Sequence, residues 1–386
     1  MAWNRQAPPV GVAPSPIALG RWFVAGAAAL CAGVALLVIG GSGQIPELSR
    51  LDGWALCGLP VAAWGLAFAA RARGYGSALH RFHFIEFEAQ RASEAWQAWG
   101  SRHMAVHASC VVLPDNFCAS SLAPVLGSHP PRTGQPRRIE ALPAAGDRRG
   151  VAALELLLEA IKPHLLGLGD SQELHVRLLT DAASQCHESI RDVWEHQWSR
   201  ISGWPTPELQ LLDELSFDWL DLQIRSGSTC LELILVVQVN GKESYSDGLA
   251  VMLLSPDQQA VASRLPTQAR LLRPMPLDPE LPDTELAIFF QAQAAALQAT
   301  ELFADSAHWQ PLAGQVVGHA RICGAQFDAS TSWNLEALCG TPGPFSGWLL
   351  AALAVDRVRQ QKRPVLALAS EHSRGWISTV AAGAMV

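Results

Sequence analysis

The sequence contains little charge. Asp, Glu, Lys and Arg make up only 16% of its 386 residues, whereas an average soluble protein has about 25%. A deficit of this size is typical of chains with a membrane-embedded part or with unusually large buried surfaces. The formal net charge of −7 argues against a nucleic-acid-binding surface, which needs a clustered basic excess.

Several motifs that carry well-known chemistry are also absent. The chain has no G-x-x-x-x-G-K-[ST] loop, which excludes ordinary P-loop phosphate binding, and no G-x-S-x-G elbow, which argues against an α/β-hydrolase. Its eight Cys include no C-x-x-C pair, so their spacing predicts neither a zinc site nor a disulfide framework. We therefore expect reduced, mostly buried thiols and neither a metal nor a cofactor.

Tryptophan is the residue that the sequence has in excess. There are 14 Trp and only two Tyr. Trp supplies a large packing surface and is enriched at membrane boundaries and at partner interfaces. The composition therefore indicates a membrane anchor, a protein-binding surface or both.

Two long uncharged stretches lie near the N-terminus. Trp22 to Gly41 rises about 30 Å as a helix, which is enough to cross the hydrocarbon core of a bilayer. A second uncharged stretch follows from Gly53 to Ala70, after a short polar connection. The pair, 22–41 and 53–70, predicts a transmembrane hairpin over residues 22–70. The alternative, a cleaved signal peptide, normally has a shorter apolar region and no second span so soon after it.

Charges beside the two stretches predict the orientation. Arg5 and Arg21 precede the first stretch, and Arg71, Arg73 and Arg81 follow the second. Because basic residues accumulate on the cytoplasmic side of a membrane, we expect the tail 1–21 and the chain after residue 70 to be cytoplasmic. The expected location is the bacterial inner membrane, crossed twice.

The next segments lead into the main part of the chain. The Pro-free, helix-forming stretch from Ser77 to His107 predicts a helix that leaves the bilayer within a juxtamembrane region, 71–126. Residues 127–150 are rich in Pro, Gly and Arg, which disfavour regular structure and indicate an exposed linker. A second interpretation of the same arginines is contact with anionic lipid.

After residue 150 the pattern becomes α/β, with a first half over 151–264 and a second half over 265–386. Apolar periodicity predicts helices over 151–166, 187–201, 284–304 and 348–358. Apolar runs predict strands over 174–182, 231–239, 248–255, 318–326 and 362–370. Alternating helices and strands are typical of a layered α/β body.

One thiol stands where a nucleophile could be activated. Cys186 follows a predicted strand and precedes a predicted helix, and a helix N-terminus can lower the pKa of a thiol. His187 is its neighbour in sequence, but adjacent side chains diverge, so the pair is not a ready-made dyad. Cys230 is a second candidate, and a purely structural role is the alternative for both thiols.

Short motifs in the two halves resemble those of thiolase-like enzymes, including ketoacyl synthases. Such enzymes carry a late strand-to-helix turn that reads approximately G-H-T-x-G-A-A-G, and residues 340–347 read GTPGPFSG before an apolar helix and KRPVLALAS. SDGLAVMLLS, residues 246–255, is similar to the family's S-E-G-A-x-x-L-x-L strand, and Trp309 stands where such enzymes often have an aromatic residue. The resemblance implies a thiolase-like α/β body over about 170–386, and a homo- or heterodimer.

The departures from the family pattern concern its catalytic residues. The family histidine falls at Thr341, whose hydroxyl cannot replace imidazole as a donor or base. The nucleophile motif T-A-C-S-S is approximated only by TDAASQC, which ends at Cys186. We therefore expect the turn, with Gly340, Gly343 and Gly347, to keep its shape while the acyl-transfer machinery has been lost.

Degenerate thiolase-like proteins of this kind resemble accessory proteins encoded beside bacterial type VI secretion effectors. The resemblance implies a membrane-anchored, non-catalytic adaptor or chaperone whose partner is an effector or a component of the secretion spike. Two alternatives stay open. One is a membrane-bound acyltransferase that uses Cys186 or Cys230, and the other is an immunity protein that neutralises a toxin at the inner membrane.

Overall fold

A computed structural model describes residues 3, 5, 10–42, 52–122, 133–144, 148–168, 172–201, 205–278, 280–325, 327, 331–371 and 374–383. They divide into two units, one formed by residues 6–95 and the other, the body, formed by residues 1–5 together with 96–386. Most of the loop in the predicted hairpin, and residues 127–132 and 145–147 of the predicted linker over 127–150, lie outside the described residues.

The first unit contains two apolar helices, α1 (Leu19–Gly41) and the larger part of α2 (Gly53–Gly100). Their most apolar windows have mean hydropathies of 2.4 and 1.5, and both helices are long and apolar enough to cross a membrane. The helices approach closely, because a Cβ on Gly33 would lie 2.3 Å from the carbonyl oxygen of Cys57. Small residues at such contacts are typical of transmembrane helix pairs. The two predicted helices are confirmed, while their insertion into a membrane stays a prediction.

α2 continues well past the predicted span. It has 48 residues and is therefore about 72 Å long, so only its first part can lie within a bilayer. The predicted helix end at His107 is wrong, because the helix ends at Gly100 and residues 103–112 form strand β1 (His103–Val112). Pairing with strands on both of its sides stabilises this segment as a strand, although its local sequence also permits a helix.

The body contains two halves, each built from a similar succession of helices and strands. The first half comprises β1, α3 (Arg148–Leu165), β2 (Leu174–Thr180), α4 (His187–Ile201), β3 (Leu209–Leu212), α5 (Phe217–Ser226), β4 (Leu231–Gln238) and β5 (Gly248–Pro256). A short helix, α6 (Asp257–Ser263), leads to the second half. That half comprises β6 (Ala269–Leu272), β7 (Met275–Leu277), α7 (Pro282–Ala292), β8 (Glu301–Ala304), α8 (Gln310–Ile322), β9 (Ser332–Asn334), α9 (Leu335–Cys339), α10 (Ser346–Gln361), β10 (Val365–Glu371) and β11 (Arg374–Ala382).

Two predictions in the second half are wrong. The predicted helix 284–304 ends at Ala292, and residues 301–304 form β8, which is buried and pairs with β9 and β10. The predicted strand 318–326 instead begins inside α8. In both places the local pattern was ambiguous, and tertiary pairing and packing decided the outcome.

The two halves repeat one strand order. It is β3-β2-β4-β5-β1 in the first half and β9-β8-β10-β11-β6 in the second, so both orders read third, second, fourth, fifth, first when the strands on this path are numbered within their half. In each half the first three strands of that order run parallel and the fourth runs antiparallel to them. β1 and β6 pair and join the halves. The body is therefore an internal duplication.

Helices cover both faces of each half-sheet. α3 and α4 pack on the outer face of the first half-sheet, and α7 and α8 pack on that of the second. A central core, which includes Phe217, Trp348 and Trp376, joins α5 and α10 to strands of both halves. The layers therefore follow the order helix, sheet, helix, sheet, helix, and the predicted layered α/β body is confirmed.

Much of the tryptophan excess belongs to these cores. Trp194, Trp198, Trp309, Trp348 and Trp376 are each at most 3% exposed. They stabilise the body by packing and are not available to contact a partner.

Candidate functional site

The N-termini of the two central helices, α5 and α10, meet at one end of the body. Each helix begins beyond the carboxyl ends of the parallel strands in its half, where α/β sheets commonly bind ligands. A cavity of about 270 Å³ lies at this place. Its lining residues are Asp213, Glu214, Leu215, Phe217, Pro344, Phe345, Gly347, Trp348, Ser370 and Glu371. This central cavity is the candidate site.

A carboxylate from the second half caps the start of α5. Glu371 Oε2 accepts a hydrogen bond from the Ser216 hydroxyl at 2.9 Å and a longer one from the Phe217 N–H at 3.4 Å. Ser216 Oγ accepts in turn from the Asp218 N–H at 3.2 Å. Negative charge is favourable at a helix N-terminus because the N–H groups there carry a partial positive charge. The protein therefore supplies its own anion to this end of α5.

The turn before α10 is held by a glutamine of β4. The Gln238 side chain accepts from the Phe345 N–H at 3.0 Å and donates to the Ser246 carbonyl at 2.8 Å. A Cβ on Gly343 would lie 2.4 Å from the Gln238 carboxamide carbon, and one on Gly347 would lie 2.8 Å from the Phe217 ring. Both glycines are therefore needed for close packing.

The first glycine of the predicted turn has a different role. Gly340 has φ +89°, which disfavours any residue with a side chain, and a Cβ there would lie 2.1 Å from the Gln135 carbonyl oxygen. The next residue, Thr341, donates its N–H to that same oxygen at 3.3 Å and accepts from the Ser246 N–H at 2.9 Å. The main chain of Thr341 thus connects the turn to the first half of the body.

Asp305, which the sequence did not predict as a site residue, connects several segments beside the cavity. Asp305 is fully buried. It accepts hydrogen bonds from the Trp309 indole at 2.9 Å, the Ser346 hydroxyl at 3.2 Å, and the N–H and hydroxyl of Ser370 at 2.7 and 2.9 Å. Three separate segments of the second half therefore meet on one carboxylate.

Ser370 is the hydroxyl of the cavity lining that could act as a nucleophile. Its Oγ lies 2.9 Å from Asp305 Oδ1 but 3.5 Å from His308 Nε2. A general base takes a proton over about 3.2 Å or less, and in this structure Asp305 is the acceptor within that distance of the Ser370 hydroxyl. This geometry describes a structural hydrogen bond.

The first half contains the counterpart of Asp305. Asp181 follows β2 as Asp305 follows β8, and the N–H of each donates to its neighbouring strand, at Val237 and Leu368 respectively. Each carboxylate then accepts from the N–H two residues further along, from Val239 at 3.1 Å and from Ser370 at 2.7 Å. A sequence signal for this pair exists, since L-L-T-D and L-F-A-D end corresponding strands.

Neither predicted nucleophile lines the cavity. Cys186 lies just before α4, in the outer helix layer, and the ring of His187 is directed to the Ala182 carbonyl at 3.2 Å. Cys230 lies before β4, at the opposite end of a strand of eight residues that is about 26 Å long. Burial raises the pKa of the Cys230 thiol, which disfavours the nucleophilic thiolate.

Comparisons with known proteins concern the fold. No protein-family model and no curated protein matches the chain. Solved structures are similar to it. One is the AntDE:AntF complex of a type II polyketide synthase acyl-carrier protein with its ketosynthase, with 10% identity and a TM-score of 0.48 over 73% of this chain and 99% of that one.

Two further structures have a similar arrangement. They are acetamide-bound OleA of Xanthomonas campestris, with 10% identity and a TM-score of 0.43 over 73% of this chain and 99% of that one, and 3-oxoacyl-[acyl-carrier-protein] synthase III of Aquifex aeolicus, with 10% identity and a TM-score of 0.42 over 72% and 99%. With 10% identity and TM-scores of 0.42 to 0.48, these likenesses carry no conclusion about activity. The elements and the strand order of the structure itself show the predicted layered α/β body, which follows two N-terminal apolar helices in the chain.

Proposed function

We propose that this protein is a membrane-anchored, non-catalytic adaptor whose thiolase-like body works by binding another protein. One observation carries the proposal. The described lining of the central cavity includes three carboxylates, Asp213, Glu214 and Glu371, and neither a thiol nor an imidazole. Acyl transfer through a thioester needs a nucleophile, a base and donors for a developing oxyanion. Three carboxylates at that place would instead repel the oxyanion.

The N–H groups at the helix starts support the same conclusion. Glu371 and Ser216 accept from the first N–H groups of α5, and Gln238 accepts from Phe345 N–H before α10. An oxyanion site requires donors that are free to bind substrate. Because the protein's own acceptors occupy these donors, catalysis would require several hydrogen bonds to break first.

The anchor and the partner complete the proposal. α1 and α2 would hold the body at the bacterial inner membrane, with both chain ends in the cytoplasm because arginines flank the two apolar stretches. The partner would be a type VI secretion effector or a component of its spike, an inference that rests on the family resemblance of the degenerate motifs.

Acyl labelling tests the non-catalytic part. The full-length protein in detergent is incubated with a radiolabelled acyl-coenzyme A and then denatured, and we expect no covalent label. Label on the wild type that disappears in Ser370→Ala or Cys186→Ser would overturn the proposal in favour of a membrane-bound acyltransferase. Ser226→Ala, in an exposed serine at the end of α5, serves as the matched control.

Affinity purification tests the adaptor part. The tagged full-length protein is extracted from its own bacterium in mild detergent, and we expect one secretion protein at a stoichiometric level. Recovery of no partner under several detergents and salt concentrations would contradict the proposal.

Thiol accessibility tests the orientation. Cys323, at the end of α8, is exposed in the body. A membrane-impermeant maleimide should therefore leave it unlabelled in intact spheroplasts and label it after lysis, with Cys323→Ser as the control. Labelling before lysis would place the body outside the cytoplasm.

A further inference from the structure

A second group of polar side chains lies at the opposite end of the first half-sheet from the central cavity. Glu173 immediately precedes β2, His175 is the second residue of that strand, and Cys230 immediately precedes β4. One potential ligand atom from each of the three lies within 4.8 Å of the others. Strand pairing explains the juxtaposition, because the Leu231 N–H donates to the Glu173 carbonyl at 2.8 Å.

The three side chains are already in contact with one another. His175 Nε2 lies 3.3 Å from Glu173 Oε1, and the Cys230 thiol hydrogen-bonds to the Glu173 carboxylate. Ligand atoms that share one tetrahedral zinc ion lie about 3.5 Å apart, given metal–ligand bonds of about 2.0–2.3 Å. The Glu173 side chain is 69% exposed, so it can adjust to an ion without disturbing the core.

A buried carboxylate orients the histidine. His175 Nδ1 lies 3.2 Å from Glu232 Oε1, and the Glu232 side chain is only 2% exposed and also pairs with Arg177. Nε2 faces the Glu173 carboxylate, so both ring nitrogens lie beside carboxylates. A metal ion on Nε2 would replace any proton there, while Nδ1 would keep its proton and donate it to Glu232, which can only accept when it is ionised. Zinc-binding histidines are oriented by a second-layer carboxylate in the same way.

We propose that Glu173, His175 and Cys230 bind a divalent transition-metal ion of the zinc class, with water as the fourth ligand. Thiolate, imidazole and carboxylate are together the ligand types that zinc selects. On binding, the Cys230 thiol releases its proton to solvent, and the ion connects the start of β2 to the start of β4. The site escaped the sequence analysis because its ligands are joined by strand pairing and not by close spacing.

Cobalt titration tests this site directly. Full-length protein in detergent is freed of metal with a chelator, reduced, and titrated with Co²⁺ alone. We expect one equivalent to bind with a thiolate-to-cobalt absorption band in the near ultraviolet, and Zn²⁺ to displace it. Cys230→Ser should abolish the band, whereas Cys186→Ser, which alters a partly exposed thiol outside the cluster, should leave it unchanged. Absence of the band in the wild type, or its persistence in Cys230→Ser, would overturn the proposal.

Two further variants separate metal binding from folding. Glu173→Gln changes an exposed side chain and should lower Co²⁺ and Zn²⁺ affinity by about tenfold without lowering the thermal stability of the metal-free protein. Glu232→Gln should lower affinity by about 10- to 100-fold, since it removes the carboxylate that orients His175. Unchanged affinity in Glu173→Gln would exclude the three-ligand site. Neither outcome depends on whether the body is an adaptor or an acyltransferase.

Discussion

The two halves of the body place an aspartate at the same point of their repeat but use it differently. Asp181 is partly exposed and accepts from the N–H groups of Val239 and Asn240 and from the Tyr245 hydroxyl, all in one local turn region. Asp305 is fully buried and accepts from residues that precede, begin and follow α10. The aspartate that follows the strand thus stabilises a local turn in the first half, whereas in the second half it connects three segments beside the central cavity.

Through Asp305, hydrogen bonds connect Ser370 of the cavity lining to the start of α10. Ser346 begins α10, Ser370 is the second-last residue of β10, and both donate hydrogen bonds to Asp305. Glu371, the next residue, is thereby held where it caps α5 of the other half. The two halves therefore share a strand order but differ in what their corresponding aspartates hold together.

Removing the two aspartates should have the largest and most unequal effects. Asp305→Ala leaves several buried donors without an acceptor and should lower the free energy of unfolding by about 3–5 kcal/mol. Asp181→Ala should lower it by about 1–3 kcal/mol, because water can reach some of its donors. Denaturant unfolding of the full-length protein in detergent, followed by the fluorescence of the buried tryptophans, measures both values. Equal losses would contradict the comparison.

A side chain added at Gly340, in the turn before α10, should cause the next largest loss in the free energy of unfolding. Gly340→Ala introduces a Cβ at φ +89° that would lie 2.1 Å from the Gln135 oxygen, so we expect a loss of about 2–3 kcal/mol. Gly150→Ala is the matched control, since Gly150 lies within α3 and a Cβ there meets nothing within 4 Å. It should be neutral or stabilising by up to about 1 kcal/mol. Comparable losses in both variants would show that the turn geometry is not the cause.

Removing the charge of Glu371, which caps α5 from the other half, should lower the free energy of unfolding by less. Glu371→Gln keeps the shape but removes the charge at the start of α5, and we expect a loss of about 0.5–1 kcal/mol. Glu208→Gln, in an exposed carboxylate, should change stability by less than about 0.5 kcal/mol. Both values come from the same unfolding measurement. A more stable Glu371→Gln variant would mean that the three carboxylates of the cavity repel each other more than the helix attracts them.

The smallest expected effect is the loss of stability at high pH caused by ionisation of Tyr245 in the first half. Burial, together with the Asp181 charge, raises the pKa of Tyr245 to about 12, whereas an unfolded tyrosine ionises near pH 10. The folded state therefore favours the protonated phenol, and the stability this contributes is present below about pH 10 and is lost as the pH rises toward 12. Thermal unfolding between pH 9 and 12 should show a steeper decline in the wild type than in Tyr245→Phe. Identical slopes would remove Tyr245 from this transition.

Elements with strong local patterns were predicted well. The amphipathic face of α4, with Ile190, Trp194 and Trp198 buried, follows from apolar residues at helical spacing. β4 is recognisable from its near-continuous apolar run, and all eight of its residues are buried. The failures, at β1, at β8 and at the end of α8, occurred where short apolar segments fit a helix and a strand equally well.

The sequence by itself determined the two apolar helices and the strongly patterned elements of the first half, because each depends on the periodicity of nearby residues. Only the tertiary structure decided which residues surround the central cavity and which form the cluster of Glu173, His175 and Cys230. Strand pairing and helix packing bring together residues that are far apart along the chain, and no local pattern records those contacts.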